Sequence, residues 1–324
     1  MPDTLDEQLT KYLTDAHSIE LQALAQLRRA PDIAGDPELA RVFADHLHET
    51  EEHERLVRGR LEARGADPSK AKDLIARVTG FGMVLFARSQ PDTPGKLTAH
   101  AFSYEHMELA AYDLLAMVAE RAGDLDTAEV ARSIREQEAA MSQRLAANFD
   151  RAVAASLADV DPSDLEQQLV KYLADAHAIE SQALQLLDAG PSISGEPGLG
   201  DLFRRHLEET RTHRETVEAR LEAHGGGPSA LQSAALRVGG LNMGGFFAAQ
   251  PDTPAKLAGF AFAFEHLEVA GYEELSRVAQ RAGDEQTVAA AARIIAEEYA
   301  AGRAIRERFG PALDAALEAQ GVSA

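Results

Sequence analysis

Acidic and imidazole side chains recur at three- and four-residue spacing in four segments of this sequence. Such spacing predicts helices that each present at least one carboxylate from an apolar seam. Five buried carboxylates cannot all stay ionised without compensation, because each charge is costly to remove from water, and no lysine lies on these seams. The pattern therefore indicates a site for two divalent cations. The predicted ligands are Glu20, Glu49, His53, Glu105, Glu108 and Glu138.

The same set of residues recurs 160 positions later in the chain. Between the two copies, positions typical of a solvated surface change charge: Glu51 aligns with Arg211, and Arg55 with Glu215. The acids and histidines of the seams keep their identity. This contrast favours a shared chemical role for the seam residues. The predicted ligands of the second copy are Glu180, Glu209, His213, Glu265, Glu268 and Glu298.

Further histidines and tyrosines lie beside the predicted ligands. We predict that His46 orients a carboxylate, with binding to metal as an additional ligand left open. His17 corresponds to Glu105 when the two helical hairpins are aligned, so it is an additional candidate ligand, and Tyr112 is either a core residue or a hydrogen-bond partner. A network of protonated acids, histidines and tyrosines without metal is the alternative that the sequence leaves open. The counterparts in the second copy are His177, His206 and Tyr272.

The types of ligand narrow the choice of metal. Carboxylate combined with imidazole suits iron or manganese, with two ions expected in each half, and zinc is a further candidate by affinity. The chain has no cysteine, which excludes thiolate metal sites, disulfides and cysteine nucleophiles.

Net charge and hydropathy limit the classes of partner expected for this chain. The formal net charge of -21, from 32 Lys and Arg against 53 Asp and Glu, disfavours nucleic acid and anionic membrane surfaces and favours cations. The first residues are acidic and lack the features of a signal peptide, and the apolar stretches are too short or too rich in glycine to span a membrane. We therefore expect a cytoplasmic protein with no nucleic-acid or membrane partner.

The elements that must position the seams are helices. Helical periodicity and turn residues predict four long helices in the first half, at about 5–29, 37–64, 95–122 and 126–149, with an apolar fifth segment at about 68–89. Two hairpins joined by one long crossover form the ferritin-like arrangement. We predict an all-α protein of two tandem ferritin-like four-helix bundles, each with a crossover helix, as domains 1–158 and 159–324.

The crossover segments are apolar and rich in glycine. We expect residues 74–87 and 231–249 to form the interface of an intramolecular pseudo-dimer, which itself is able to form a larger homo-oligomer. The alternative is that they line an opening for an apolar organic substrate near Phe81, Phe86, Phe246 and Phe247.

Four motifs stand out in the first half: residues 15–20, residues 46–50 with His53, residues 105–112 and the acidic turn around Glu138. They resemble the ferritin-like stress-protein family typified by YciE and YciF. The resemblance covers nearly all of each half, with the second copy closer at residues 206–210. It implies a ferritin-like bundle, a dinuclear metal site, dimerisation through bundle faces and a stress-linked role.

The chain departs from the broader ferritin and rubrerythrin pattern. Met141 and Ala301 stand where a histidine is expected three residues after the glutamate of the fourth helix, so iron oxidation is less firmly indicated than metal binding. Three functions stay open: an oxidase that uses a di-metal centre to react with oxygen or peroxide, a non-catalytic stress or interaction protein with structural metal or none, and an enzyme acting on an apolar organic substrate.

Overall fold

The computed structural model describes residues 4–67, 93–227 and 253–322. Within these ranges every regular element is helical, which confirms the all-helical prediction. The first half contains α1 (Leu5–Leu27), α2 (Ala30–Ile33), α3 (Pro37–Ala63), α4 (Pro94–Arg121), α5 (Leu125–Ala146) and α6 (Phe149–Ser156). After a 3-10 helix (Pro162–Asp164), the second half contains α7 (Leu165–Ile193), α8 (Pro197–Ala223), α9 (Thr253–Ala282), α10 (Glu285–Arg306) and α11 (Phe309–Ala319).

Polar caps define where the helices begin. At α1, the Thr4 side chain accepts a hydrogen bond from the backbone N–H of Glu7, and the Glu7 carboxylate accepts one from the backbone N–H of Thr4 at 2.7 Å. Asp36 caps α3 in the same manner through the backbone N–H of Leu39 at 3.0 Å. These bonds satisfy backbone donors that the first helical turn leaves without partners. At the other end of α4, Gly123 adopts a φ of +73°, which ends the helix and turns the chain into α5.

The end of the fourth long helix differs from the sequence prediction. The fourth long helix was predicted to run to about residue 149, but α5 ends at Ala146 and the separate helix α6 follows. The sequence interpretation missed α6 and its counterpart α11. Phe149, Ala152 and Val153 carry the helical spacing of apolar residues that α6 buries.

The four long helices of each half contact one another in a closed ring. Helix α1 contacts α3 and α4, and α5 contacts the same two helices; α7, α8, α9 and α10 repeat this pattern. Helices α1 and α3 are antiparallel, because Arg64 near the end of α3 contacts Asp6 at the start of α1. The ring brings the middles of four seams together.

The halves pack against each other through α4 and α9. Lys96 of α4 lies 4.0 Å from Asp175 of the second half, and the equivalent Lys256 of α9 lies 3.0 Å from Asp15 of the first. Because each contact is repeated with the halves exchanged, the interface has the reciprocal character of a two-fold dimer contact.

Histidines and phenylalanines fill the centre of this interface. The imidazole rings of His106 and His266 stack with centroids 3.6 Å apart and an interplanar angle of 14°. Each ring also packs on a phenylalanine of the other half: Phe262 on His106, and Phe102 on His266. Apolar packing is continuous across this contact, so the two halves share part of one core.

The predicted crossover helix and interface segments, including Phe81, Phe86, Phe246 and Phe247, lie outside the described residues. Within the described parts of the chain, no helix has both the length and the apolar character that crossing a membrane requires.

Candidate metal centre

A fully buried carboxylate, Glu138 of α5, lies at the middle of the helix ring in the first half. Its Oε1 atom is 2.7 Å from Nδ1 of His53, and its Oε2 atom is 3.6 Å from Nε2 of His46. The two oxygens of this one side chain therefore face two different imidazoles of α3.

Two groups of ligand-type atoms share this carboxylate. In each group, one atom from every member lies within 4.8 Å of one atom from every other member. All members are buried. The first group comprises Glu20, His53 and Glu138, and the second comprises His46, Glu105, Glu108 and Glu138.

Helix geometry explains why these side chains converge. His46 and His53 are seven residues apart on α3, so they lie about 20° apart around the helix and present both imidazoles to one face. Glu105 and Glu108 are three residues apart on α4, which is also a same-face spacing. Glu20 and Glu138 come from the middles of α1 and α5.

The outward contacts of the two imidazoles leave one ring nitrogen of each directed inward. Nδ1 of His46 is 2.9 Å from Oε2 of Glu49, and donation to this carboxylate leaves Nε2 facing Glu105 at 3.3 Å. Nε2 of His53 is 3.2 Å from the amide oxygen of Gln137, and donation there leaves Nδ1 facing Glu138. Each ring is thus oriented to offer one nitrogen to the interior.

A buried tyrosine orients the carboxylate of α1. The Tyr112 hydroxyl donates a hydrogen bond to Oε1 of Glu20. Of the two roles that the sequence left open for this tyrosine, the structure thus supplies the hydrogen bond, in a side chain that is itself buried in the core.

Burial holds protons on three acids of this cluster. Removal from water, together with the charge of Glu138, raises the pKa of Glu20 to about 8. The pKa of Glu105 is also raised to about 8, chiefly by burial, and that of Glu108 lies well above its ordinary value for the same reason. In the absence of cations these carboxyls are therefore largely protonated near neutral pH.

The central carboxylate and the imidazoles, in contrast, favour their charged forms. Burial opposes ionisation of Glu138, but the hydrogen bond from His53 and the charge of His46 lower its pKa below the ordinary value. Burial likewise opposes the charged form of His53, whose pKa is nevertheless raised to about 9 by Glu138 and Glu20. The pKa of His46 is raised well above its ordinary value by Glu105 and Glu49, against the effect of burial.

Several buried oxygens of the cluster have no hydrogen-bond partner among the described residues. They include both carboxylate oxygens of Glu108 and one of Glu20. Such oxygens are costly in a protein interior, whereas hard or borderline divalent cations take carboxylate and imidazole ligands together. The residues present therefore fit a pair of such ions.

The second half repeats the arrangement with the same atoms. Its two groups are Glu180, His213 and Glu298, and His206, Glu265, Glu268 and Glu298. Nδ1 of His213 is 2.7 Å from Glu298, and Nε2 of His206 is 3.1 Å from it. The Tyr272 hydroxyl donates to Glu180, as Tyr112 does to Glu20. Burial raises the pKa of Glu265 to about 7 and that of Glu180 to about 8.

The predicted ligand Glu49 lies outside both groups. Its carboxylate accepts hydrogen bonds from His46 and from Arg144, and the bond from His46 is the main reason that its pKa is lowered to about 2. Glu209 occupies the same position beside His206. The sequence predicted Glu49 as a ligand and His46 as the residue that orients a carboxylate. In the structure, the histidine faces the cluster, and the glutamate orients the histidine.

The two remaining candidate ligands also lie outside the groups. His17 lies on α1 one helical turn before Glu20. Its Nε2 atom is 2.8 Å from Oε1 of Glu54. Its counterpart His177 is only partly buried and lies near Arg214 and Glu218; burial lowers its pKa. The sequence interpretation did not single out Gln137 or Arg144, although each lies on α5 within six residues of Glu138.

Comparison with curated proteins and with solved structures yields no match. A family described as "Domain of unknown function (DUF892)" matches the chain twice, over residues 4–158 and 164–317. The two matches correspond to the duplication visible in the sequence and to the two helix rings. The chain belongs to this family, as a tandem pair of its domains.

Proposed function

We propose that each half is a ferritin-like four-helix bundle that binds two divalent metal ions, iron or manganese. The observation that carries this proposal is the shared carboxylate. Glu138 belongs to both groups of ligand atoms in the first half, and Glu298 to both in the second. A carboxylate with one oxygen toward each group has the disposition of a bridging ligand.

The composition of the cluster supports the proposal. Each half offers four glutamates and two histidines, which is the ligand inventory of ferritin-like di-iron carboxylate proteins. The distribution differs from the common one, because α3 supplies both histidines and α4 supplies two glutamates. His46 takes the place of the histidine that α5 lacks at Met141.

Charge balance supports two ions rather than one. The four carboxylates of one half carry a charge of -4 when ionised, and two divalent cations carry +4. Without metal, protons on Glu20, Glu105 and Glu108, together with the protonated imidazoles of His46 and His53, supply the compensation. Metal binding then exchanges protons for cations, so affinity rises with pH.

The chain's own residues prepare the centre for redox chemistry. Two redox-active ions bound there would transfer electrons to oxygen or peroxide. Tyr112 holds the Glu20 carboxylate, Glu49 and Gln137 orient the two imidazoles, and burial keeps bulk water away from the ligands. The resemblance to the family typified by YciE and YciF supports a stress-related role for this activity.

Anaerobic loading with ferrous ion, followed by exposure to oxygen, tests the proposed function. We expect the wild-type chain to oxidise bound iron faster than free ferrous ion in the same buffer. Glu138→Gln with Glu298→Gln keeps the side-chain shape but removes the shared charge in both halves, and should slow oxidation at unchanged helicity. Glu136→Gln is the matched control, because Glu136 is exposed on the same helix two residues earlier.

Two outcomes count against the proposal. Oxidation no faster than that of free ferrous ion removes the oxidase function and leaves a structural metal. Absence of both iron and manganese binding removes the metal as well, and leaves a hydrogen-bonded core of protonated acids.

A further inference from the structure

The two candidate centres share their ligands but differ in the groups that hold the ligand imidazoles. His53 donates through Nε2 to the neutral amide oxygen of Gln137 at 3.2 Å. The corresponding His213 has the carboxylate of Glu297 at 2.6 Å from the same ring nitrogen. One ligand imidazole is therefore backed by an amide in the first half and by a carboxylate in the second.

The other imidazole of each half differs in the same direction. Glu49, which orients His46, is also bound by Arg144, with Nη1 at 3.1 Å from Oε1. In the second half, Ala304 occupies the position of this arginine, so Glu209 lacks that contact beside His206. The Glu49 side chain is 32% exposed and that of Glu209 is 56% exposed. The negative charge behind His46 is thus offset by an arginine, whereas the charge behind His206 is offset only by the solvent around the more exposed Glu209.

Carboxylate partners strengthen histidine as a metal ligand. A carboxylate that accepts the second ring N–H raises the electron density of the imidazole and stabilises positive charge at the metal. A neutral amide orients the ring without adding this charge. Changes in such outer partners typically alter metal affinity by about 10- to 100-fold.

Two nearby charges oppose this difference only weakly. Arg293 lies 3.3 Å from Glu297, but its side chain is 45% exposed, so water screens the pair. Glu54 in the first half aligns with Arg214 in the second. Glu54 pairs with His17 and Arg58, and Arg214 lies near His177, which belongs to neither group of ligand atoms. The groups in direct contact with the ligand rings therefore decide the difference.

We propose that the two centres are not equivalent: the centre of the second half binds divalent metal more tightly than that of the first, because Glu297 and Glu209 back its imidazoles with less compensated negative charge. This inference rests on the proposed function. It assigns Gln137, Glu297 and Arg144 as positioning residues that set the affinity of each half. In the intact chain, the second half fills first.

Manganese titration of full-length chains with one centre disabled tests the inference. Glu138→Ala leaves only the second centre intact, and Glu298→Ala leaves only the first. We expect the Glu138→Ala chain to bind Mn²⁺ at least about tenfold more tightly in calorimetry. Adding Glu297→Gln to it should weaken binding by about tenfold, and adding Gln137→Glu to the Glu298→Ala chain should strengthen it.

A variant of the intact chain guards against folding defects in the alanine variants. Glu297 is 39% exposed, so Glu297→Gln alone leaves the core unchanged. It should weaken the tighter of two binding phases and leave the weaker phase unaltered. Equal affinities of the two centres, or no response to exchange at positions 137 and 297, would overturn the inference while the proposed function stands. No Mn²⁺ binding by any chain would remove the proposed function and the inference together.

Discussion

Two pairs of buried histidines show how the same residue type serves different ends in this chain. His46 and His53 face carboxylates inside the helix ring, and their pKa values are raised, that of His53 to about 9. His106 and His266 stack between the halves among phenylalanines. Burial lowers the pKa of His266 to about 4, and burial together with the charge of His266 lowers that of His106 well below its ordinary value.

The comparison separates cation chemistry from packing. Burial alone drives an imidazole toward its neutral form, and only nearby carboxylates reverse that preference. The interface rings instead donate Nδ1–H to the carbonyl oxygens of Phe102 and Phe262, each at 2.7 Å, within their own helices. His46 and His53 recur 160 residues later as His206 and His213, and His106 recurs as His266, so repetition by itself does not distinguish a ligand from a packing residue.

The largest expected effect concerns metal affinity. His53→Ala with His213→Ala removes one inward nitrogen from each half and should lower Mn²⁺ affinity at least about 100-fold, because losing a ligand costs at least as much as losing an outer partner. His106→Ala with His266→Ala should change affinity by no more than about threefold. Calorimetric titration of both double variants measures the contrast. Similar losses of Mn²⁺ affinity in the two double variants would show that the interface histidines affect metal binding as much as the histidines of the cluster.

The next effect concerns the interface. His106→Ala with His266→Ala leaves a cavity between α4 and α9, and we expect a loss of about 2–4 kcal/mol in the free energy of unfolding. His106→Phe with His266→Phe keeps the stacked area and should recover more than half of that loss. Urea denaturation followed by circular dichroism provides the measurement. If the phenylalanine variant is no more stable than the alanine variant, ring stacking is not what the interface requires.

The smallest and most graded effect is the pH dependence of the metal-free protein. The pKa of Glu20 is about 8 in the folded state against an ordinary 4.5, and that of His53 is about 9 against 6.5. Both groups hold more protons when folded, so their contribution to stability is present at low pH and is lost as pH rises through the folded values. Carboxyls with lowered pKa, such as Glu49 at about 2, titrate below this window.

We therefore expect the midpoint temperature of thermal unfolding of the metal-free chain to decrease as the pH is raised from 5 to 9. Glu20→Gln with Glu180→Gln should flatten this decline, because glutamine stays neutral throughout. Differential scanning calorimetry at several pH values decides the matter. A midpoint that rises over this range would show that the carboxyls of the cluster are already ionised at pH 5.

Much of the fold follows from local signals in the sequence. Asp36, Pro37 and Gly65 mark the ends of α3, and the predicted and observed limits agree within a residue. Helix α6 was missed because α5 and α6 are separated by only two residues, Ala147 and Asn148, too little to be read as a break. The sequence pattern continues across this junction even though the helix does not.

The site was harder to predict than the helices. Glu20, His53, Glu105, Glu108 and Glu138 were proposed as ligands from seam spacing, and the structure brings all five together. Seam spacing could not separate His46 from Glu49, since both lie close to the inward face of α3. In the structure, Glu49 and its counterpart Glu209 each contact a histidine from outside the cluster, Glu49 with Arg144 as a further partner and Glu209 with Ala304 in place of that arginine. Seam spacing does not encode these side-chain contacts. The seven-residue interval between the two histidines was the available signal.

We propose that each half holds two metal ions around a shared glutamate. Equilibrium dialysis of the metal-free chain against Mn²⁺, followed by metal analysis, tests it most directly. With two ligand groups in each of two halves, we expect close to four bound ions per chain, and a loss of most of them in Glu138→Ala with Glu298→Ala. A wild-type chain that retains two ions or fewer, or a double variant that retains as many as the wild type, would show that the shared glutamates do not hold a pair of ions in each half.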